Sequence, residues 1–202
     1  MKRNPEEKRK AILDAALACL IEKGYHGATM DEICERAGVS KGAAYWYFKS
    51  KKEIFRDILA LYAQERLNLL EDILKKEQDP QRFLNTLFRS ARERMENSER
   101  VEAYRALLEY WAFAARDPEV KGWIEELYRK YKEKLTPLLE RGIEEGVFKV
   151  QSPDQAFSLI SLVLIGGGVI PLVNENVLGI RRNWEEIVKV LMTGLTGARG
   201  DT

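Results

Sequence analysis

Apolar residues recur every three to four positions along most of the chain, and short polar clusters separate the runs. Behind Asn4-Pro5-Glu6-Glu7, which offers an N-cap, a proline at the first helical position and a carboxylate at the third, Ile12, Ala16 and Cys19/Leu20 repeat with helical spacing until Gly24. Thr29-Met30-Asp31-Glu32 is a second capping box and opens a short helix, with Ile33 and Ala37 inward, that ends at Gly38. Ser40 starts a third helix carrying Lys41 to Phe48, and Ser50-Lys51-Lys52-Glu53 launches a long fourth through Ile54, Ile58 and Leu61.

The helical period continues downstream. Asp79-Pro80 begins a segment with Phe83, Leu87, Phe88, Ala91 and Met95, Asn97-Ser98 breaks it, and 101–115 follows with Leu108, Trp111 and Ala115 on one stripe. Asp117-Pro118 restarts a long charged helix through Trp123, Leu127, Tyr131, Leu135 and Leu138, ending near Gly142 or Gly146. Ser152-Pro153-Asp154 opens another helix, and 183–195 forms the last. No run alternates with period two, so the pattern predicts an all-α protein of about nine helices.

Composition narrows the class. In 202 residues, 45% hydrophobic and 32% charged, the apolar fraction is too high for a disordered chain and the charge too high for a multi-span membrane protein. Two cysteines make no disulfide scaffold, which places the chain in a reducing, cytoplasmic setting. Net charge is only +1, but residues 1–56 hold 12 basic and 8 acidic residues, so the basic excess is N-terminal. The apolar run after Lys8-Arg9-Lys10 is not a secretion signal, because Asp14 interrupts it and Glu22-Lys23 close it.

Residues 155–174 carry no charge and meet the length of a membrane span. Ser158, Ser161, the glycines at 166–168 and Pro171 favour a buried or interfacial helix instead. With Trp184, Ile187, Val190 and Leu191 it forms an apolar surface suited to a second copy, giving a homodimer through the helices at about 154–173 and 183–197 and no membrane contact.

The tight link Gly38-Val39-Ser40 between two short helices makes a helix-turn-helix, whose second helix is built to enter a DNA major groove. Lys41 stands at the start of that helix, where it can donate to guanine O6 and N7; Gly42 and Ala43 permit close approach, and the Ala43 methyl can meet a thymine methyl. Tyr45, Trp46 and Tyr47 are three successive aromatics, of which one helix face buries only some. Their polar tips suit phosphate oxygens, Lys49 and Lys51 add charge, and the amides at the Thr29 cap can take a phosphate. Lys2, Arg3, Lys8, Arg9 and Lys10 are a solvated basic start rather than a minor-groove arm.

The run Gly24-Tyr25-His26-Gly27-Ala28-Thr29, then Ile33, Ala37-Gly38-Val39-Ser40-Lys41-Gly42-Ala43, Tyr45, Phe48 and Lys51 resembles the TetR/AcrR family of transcriptional regulators across residues 8–56. The resemblance implies a homodimer with an N-terminal three-helix DNA-binding domain at 1–50 and a larger helical bundle at 51–202 for effector binding and dimerisation. It places base contacts on Lys41, Gly42 and Ala43, and phosphate contacts on Thr29, Tyr45, Trp46, Tyr47 and Lys51. The chain departs from the family at Tyr47, where histidine is frequent, and at Ala44, where leucine is common. Glu109-Tyr110-Trp111-Ala112-Phe113, Ala115-Arg116-Asp117-Pro118-Glu119 and Glu145-Gly146-Val147-Phe148 are more weakly similar to the choline/betaine-responsive branch. On that resemblance Phe88, Met95, Tyr104, Leu108, Trp111 and Tyr128 are expected to wall a pocket for a small hydrophobic or amphipathic effector.

The remaining chemistry is sparse. His26 is the one histidine and lacks companions for a metal, while Cys19 and Cys34 fall at apolar helical positions as core residues. No catalytic residue, cofactor or metal is expected. The reading is therefore a ligand-released repressor on a palindromic double-stranded operator; its rivals are a membrane-anchored helical interaction protein and a small helical enzyme acting on an apolar substrate.

Overall fold

The computed structural model describes residues 4–97, 108, 112 and 116–197. Every regular element among them is a helix: α1 (Pro5–Gly27), α2 (Met30–Ala37), α3 (Lys41–Tyr47), α4 (Lys51–Lys76), α5 (Pro80–Glu96), α6 (Pro118–Glu144), α7 (Pro153–Leu178) and α8 (Trp184–Thr196). The chain is all-α, as the period predicts. The further helix expected over 101–115 lies outside the described residues, save 108 and 112, both helical.

Packing divides the chain into two compact units, Met1–Glu65 with Glu102–Trp123 and Arg66–Val101 with Ile124–Thr202. The division falls inside α4 and again inside α6; the first turns of α4 supply Ile54, Phe55 and Ile58 to the core of the first unit, where Phe55 meets the Tyr25 ring at 5.1 Å.

In the first unit the local signals act as read. Asn4 Oδ1 accepts from the Glu7 amide at 2.8 Å while Glu7 Oε2 accepts from the Asn4 amide at 2.9 Å, closing the α1 capping box. The predicted stop at Gly24 is a break with φ 69° and ψ 176°, after which one more helical turn runs to Gly27. Ile12, Ala16, Leu20, Ile33, Ala44 and Phe48 are buried. Two ion pairs bind α1 to α2: Arg36 grips Glu22 through both guanidinium nitrogens at 2.7 Å, and Lys23 pairs with Glu32. Hydrogen bonding to Arg36 holds the Glu22 carboxyl below its usual range, and bonding to Lys23 and then Thr29 does the same for Glu32. Stability from these pairs is therefore present above the ordinary glutamate value of about 4.3 and is lost as pH falls through the lower folded-state values. Melting temperatures taken from about pH 6 to pH 3 should fall more steeply for the wild type than for a Glu22→Gln/Glu32→Gln variant. Parallel curves would exclude the linkage.

The second unit is a helical bundle. Phe83, Leu84, Leu87 and Phe88 of α5 pack with Leu135, Leu138 and Leu139 of α6, Ala156 and Ile160 of α7, and Trp184, Met192 and Leu195 of α8. Trp184 is the keystone: its Nε1–H donates to the Phe88 carbonyl at 3.1 Å, and the two rings meet edge to face at 6.2 Å. Of the three successive glycines in α7, Gly167 is the one that packing demands. A Cβ there would run into the Trp184 indole and come within 2.9 Å of Met95 Cε.

The uncharged stretch is thus only partly core. Pro153–Leu172 is long and apolar enough to cross a membrane, yet Ala156 and Ile160 on it are enclosed by the bundle. Its other face leaves Leu162 70% exposed, and Val190 of α8 is equally open.

Candidate nucleic-acid interface

The turn between α2 and α3 is fixed by hydrogen bonds that its own residues dictate. Val39 N donates to the Cys34 carbonyl at 3.0 Å and Gly38 N to Glu35 at 3.1 Å, the paired closure that requires a left-handed residue. Gly38 meets that requirement with φ 66°. Ser40 then caps α3, its Oγ accepting from the Ala43 amide at 3.2 Å.

Burial sorts α3 into two faces. Ala44 is completely enclosed, so a methyl group fills this position, and Phe48 beyond the helix end is also buried. Opposite them, Lys41 and Gly42 are exposed, Tyr45 is 49% and Trp46 77% accessible, and Ala43 and Tyr47 are half-buried. The Tyr47 ring braces Trp46 edge-on at 4.8 Å. A Cβ at Gly42 would meet nothing within 4 Å, so this glycine leaves open space on the outer face rather than relieving a clash inside the protein.

The polar groups are less free than their residue types suggest. Lys41 Nζ lies 2.6 Å from Asp31 Oδ1, an ion pair between two exposed side chains that raises the affinity of Lys41 for its proton through the hydrogen bond and the nearby charge. Thr29 is occupied as the α2 cap: its Oγ1 accepts from the Glu32 amide at 3.3 Å, and Glu32 Oε2 accepts from the Thr29 amide at 3.2 Å. A phosphate at this end would have to displace the Glu32 carboxylate.

Lys51 stands apart from the exposed row. Its Nζ donates to the carbonyls of Tyr25 at 2.6 Å and Ala28 at 2.7 Å, and lies over the Tyr25 ring 4.6 Å from its centroid. Burial lowers the proton affinity of this amine. Two of its three N–H donors thus fasten the end of α1 to the start of α4.

Several cations stay within the fold. Arg9 pairs with Asp57 at 2.6 Å and lies over Phe48, which fits a structural role for this part of the basic start; residues 2 and 3 are outside the described residues. Lys52 pairs with Asp117 at 2.7 Å and Glu119 at 2.6 Å, and Lys52 and Arg56 flank the Trp123 ring at 5.7 and 5.1 Å. The sequence offers no signal for this cluster, whose members are too far apart in the chain to share a helical period.

Of the expected effector wall, Phe88 and Met95 are core residues of the second unit, and Tyr128 is half-buried there with its ring 6.4 Å from that of Tyr131. Leu108 is half-buried and belongs to the first unit, while Tyr104 and Trp111 lie outside the described residues. Cys19 and Cys34 are buried and unbridged, and desolvation pushes both thiols up, away from the reactive thiolate. His26 is exposed beside Tyr25, and no cluster of three His, Cys, Asp or Glu side chains suited to a metal occurs among the described residues.

Comparison with known proteins places this face in a wider group. Residues 12–58 match the family model of bacterial regulatory proteins, tetR family. The HTH-type transcriptional regulator YfiR of Bacillus subtilis is 28% identical over 155 residues, covering 75% of this chain and 73% of that protein. SrpR of Pseudomonas putida, also an HTH-type transcriptional regulator, is 46% identical over 55 residues, but the match spans only 27% of this chain and 26% of SrpR. Among solved structures, the transcriptional regulator FadR from Bacillus subtilis, in complex with stearoyl-CoA, superimposes with a TM-score of 0.73 at 20% identity, covering 92% of this chain and 98% of that one.

Proposed function

We propose that this chain, whose residues 12–58 match the family model of bacterial regulatory proteins, tetR family, is a ligand-released repressor that binds a near-palindromic operator as a homodimer in the cytoplasm. The observation that carries this reading is the outer face of α3, where Lys41, Gly42, Tyr45 and a 77% exposed Trp46 stand together on a helix otherwise buried through Ala44. A bare phenol and indole side by side next to a lysine make an exposed patch of the kind that marks an interaction site.

Residues 1–50 are assigned to DNA and 51–202 to effector and dimer. Lys41, Gly42 and Ala43 meet base edges; Tyr45, Trp46, Tyr47 and the Thr29 cap meet phosphates, with Lys51 holding the module in shape and one N–H left for the backbone. The second copy covers the open face of α7 and α8 around Leu162 and Val190, setting two reading heads about one helical turn, roughly 34–36 Å, apart. A hydrophobic or amphipathic effector taken up by the C-terminal domain favours a conformation in which α4 draws the recognition helices out of register. Coupling of about 1–3 kcal/mol would weaken operator binding 5–150-fold.

Selection of duplexes from a random pool by the purified protein, without detergent, tests this directly. A palindrome of two half-sites supports the regulator, whereas salt-sensitive binding with no enriched sequence overturns it. Stearoyl-CoA, held by FadR, and choline, suggested by the weaker C-terminal resemblance, are the first effector probes. On the selected operator, Lys41→Ala should relax one base pair in each half-site at a cost of about 1–3 kcal/mol per contact, measured by competition with single-substitution duplexes. Unchanged discrimination at every position would remove Lys41 from base reading.

A further inference from the structure

The lysine best placed to read a base is held by a carboxylate of the neighbouring helix. Lys41 opens α3 and Asp31 lies in the first turn of α2; their side chains bridge the turn at 2.6 Å while both remain mostly in solvent, at 60% and 65% exposure. Nothing in the fold requires the pair. The turn is already closed by the Gly38 and Val39 amides, α2 is capped by Thr29 with Glu32, and α1 is bound to α2 by Glu22–Arg36 and Lys23–Glu32. An aspartate at the second position of α2 suits the helix dipole equally well unpaired. Yet it puts a negative charge among the residues proposed to face a polyanion.

Resting on the regulator reading above, we propose that Asp31 is a specificity-determining residue, a gate that withholds Lys41 from phosphates on unrelated DNA and releases it only to the acceptors of the correct base pair. A phosphate oxygen is one mobile acceptor among many along the backbone, and replacing Asp31 with it exchanges one ion pair for another while leaving a bare carboxylate beside the duplex. The edge of a G·C pair offers both halves of a better exchange. Guanine O6 and N7 accept from the lysine, and the cytosine N4 amino group can donate to the freed carboxylate. Specificity arises as a difference, through a cost imposed on the wrong ligand. Lys41→Ala alone cannot reveal the gate, because it removes the reader together with its restraint.

The test uses the intact protein, the operator recovered by selection and a random duplex of equal length, titrated at several salt concentrations. Asp31→Asn keeps the size and polarity of the side chain at an exposed site. It should bind the random duplex about fivefold tighter, the scale of an exposed ion pair, with a salt slope steeper by about 0.9, one more phosphate contact. Operator affinity should gain less than twofold, so the operator-to-random ratio falls. In a Lys41→Ala background, Asp31→Asn should change random binding by less than twofold, because no lysine remains to be released. Equal gains on both duplexes, a gain that persists without Lys41, or no gain at all would overturn the gate while leaving the regulator intact. A wild-type protein that enriches no sequence would overturn the regulator reading and the gate together.

Discussion

Lys51→Met should lower the free energy of unfolding by about 2–4 kcal/mol and reduce binding to every duplex. The substitution keeps the aliphatic stem and removes the ammonium, leaving the Tyr25 and Ala28 carbonyls without the donor that now sits 2.6 and 2.7 Å away. Each lost hydrogen bond costs about 0.5–1.5 kcal/mol net, and the cation over the Tyr25 ring adds about 0.5–1 kcal/mol. The contacts are part-buried, so water replaces the lost donor poorly. DNA binding falls with it, since the end of α1 and the start of α4 frame the Thr29 cap and the recognition helix. Urea midpoints read the stability, and titrations of operator and random duplex at a temperature where the variant is fully folded read the binding. A variant as stable as the wild type would deny Lys51 its structural duty.

Trp184→Ala should cost about 3–5 kcal/mol, enough to unfold the second unit of a marginally stable protein. The indole fills the space that Gly167 leaves open on α7, packs edge to face on Phe88, and gives its N–H to the Phe88 carbonyl. Trp184→Phe keeps most of the apolar contact and forfeits the hydrogen bond, so it should lose only about 1–2 kcal/mol. The order matters as much as the size. If phenylalanine proved as damaging as alanine, the carbonyl bond rather than the packing would be the dominant contribution. Calorimetry or chemical denaturation of the two variants distinguishes these cases.

The second variant also bears on the expected effector pocket. Phe88 and Met95 are large apolar side chains at helical spacing, a pattern that serves a cavity wall and a packed core equally well. They pack in the core with Trp184, and what decides this is the arrival of an indole from 96 residues further along the chain than Phe88. Periodicity in α5 carries no information about that arrival. In the same way, an uncharged stretch long enough to cross a bilayer reads identically whether its partner is lipid or protein. Ala156 and Ile160 show the bundle on one side of it, and Leu162 shows an open face on the other.

The helix order, the capping boxes at Asn4 and Thr29, the left-handed turn at Gly38, the cap at Ser40 and the need for exposed aromatics after Ala44 were all determined by the sequence itself. Each depends on residues within about four positions of one another, where backbone hydrogen bonding and side-chain spacing leave few alternatives. Only the tertiary structure decided which charges meet. With 33 basic and 32 acidic residues, local rules cannot choose among so many pairings. It is folding that sets Asp31 against Lys41 across a turn, Lys51 against the end of α1, and Lys52 against Asp117 and Glu119, because an ion pair or a carbonyl contact needs ångström-scale approach between elements whose separation along the chain is arbitrary.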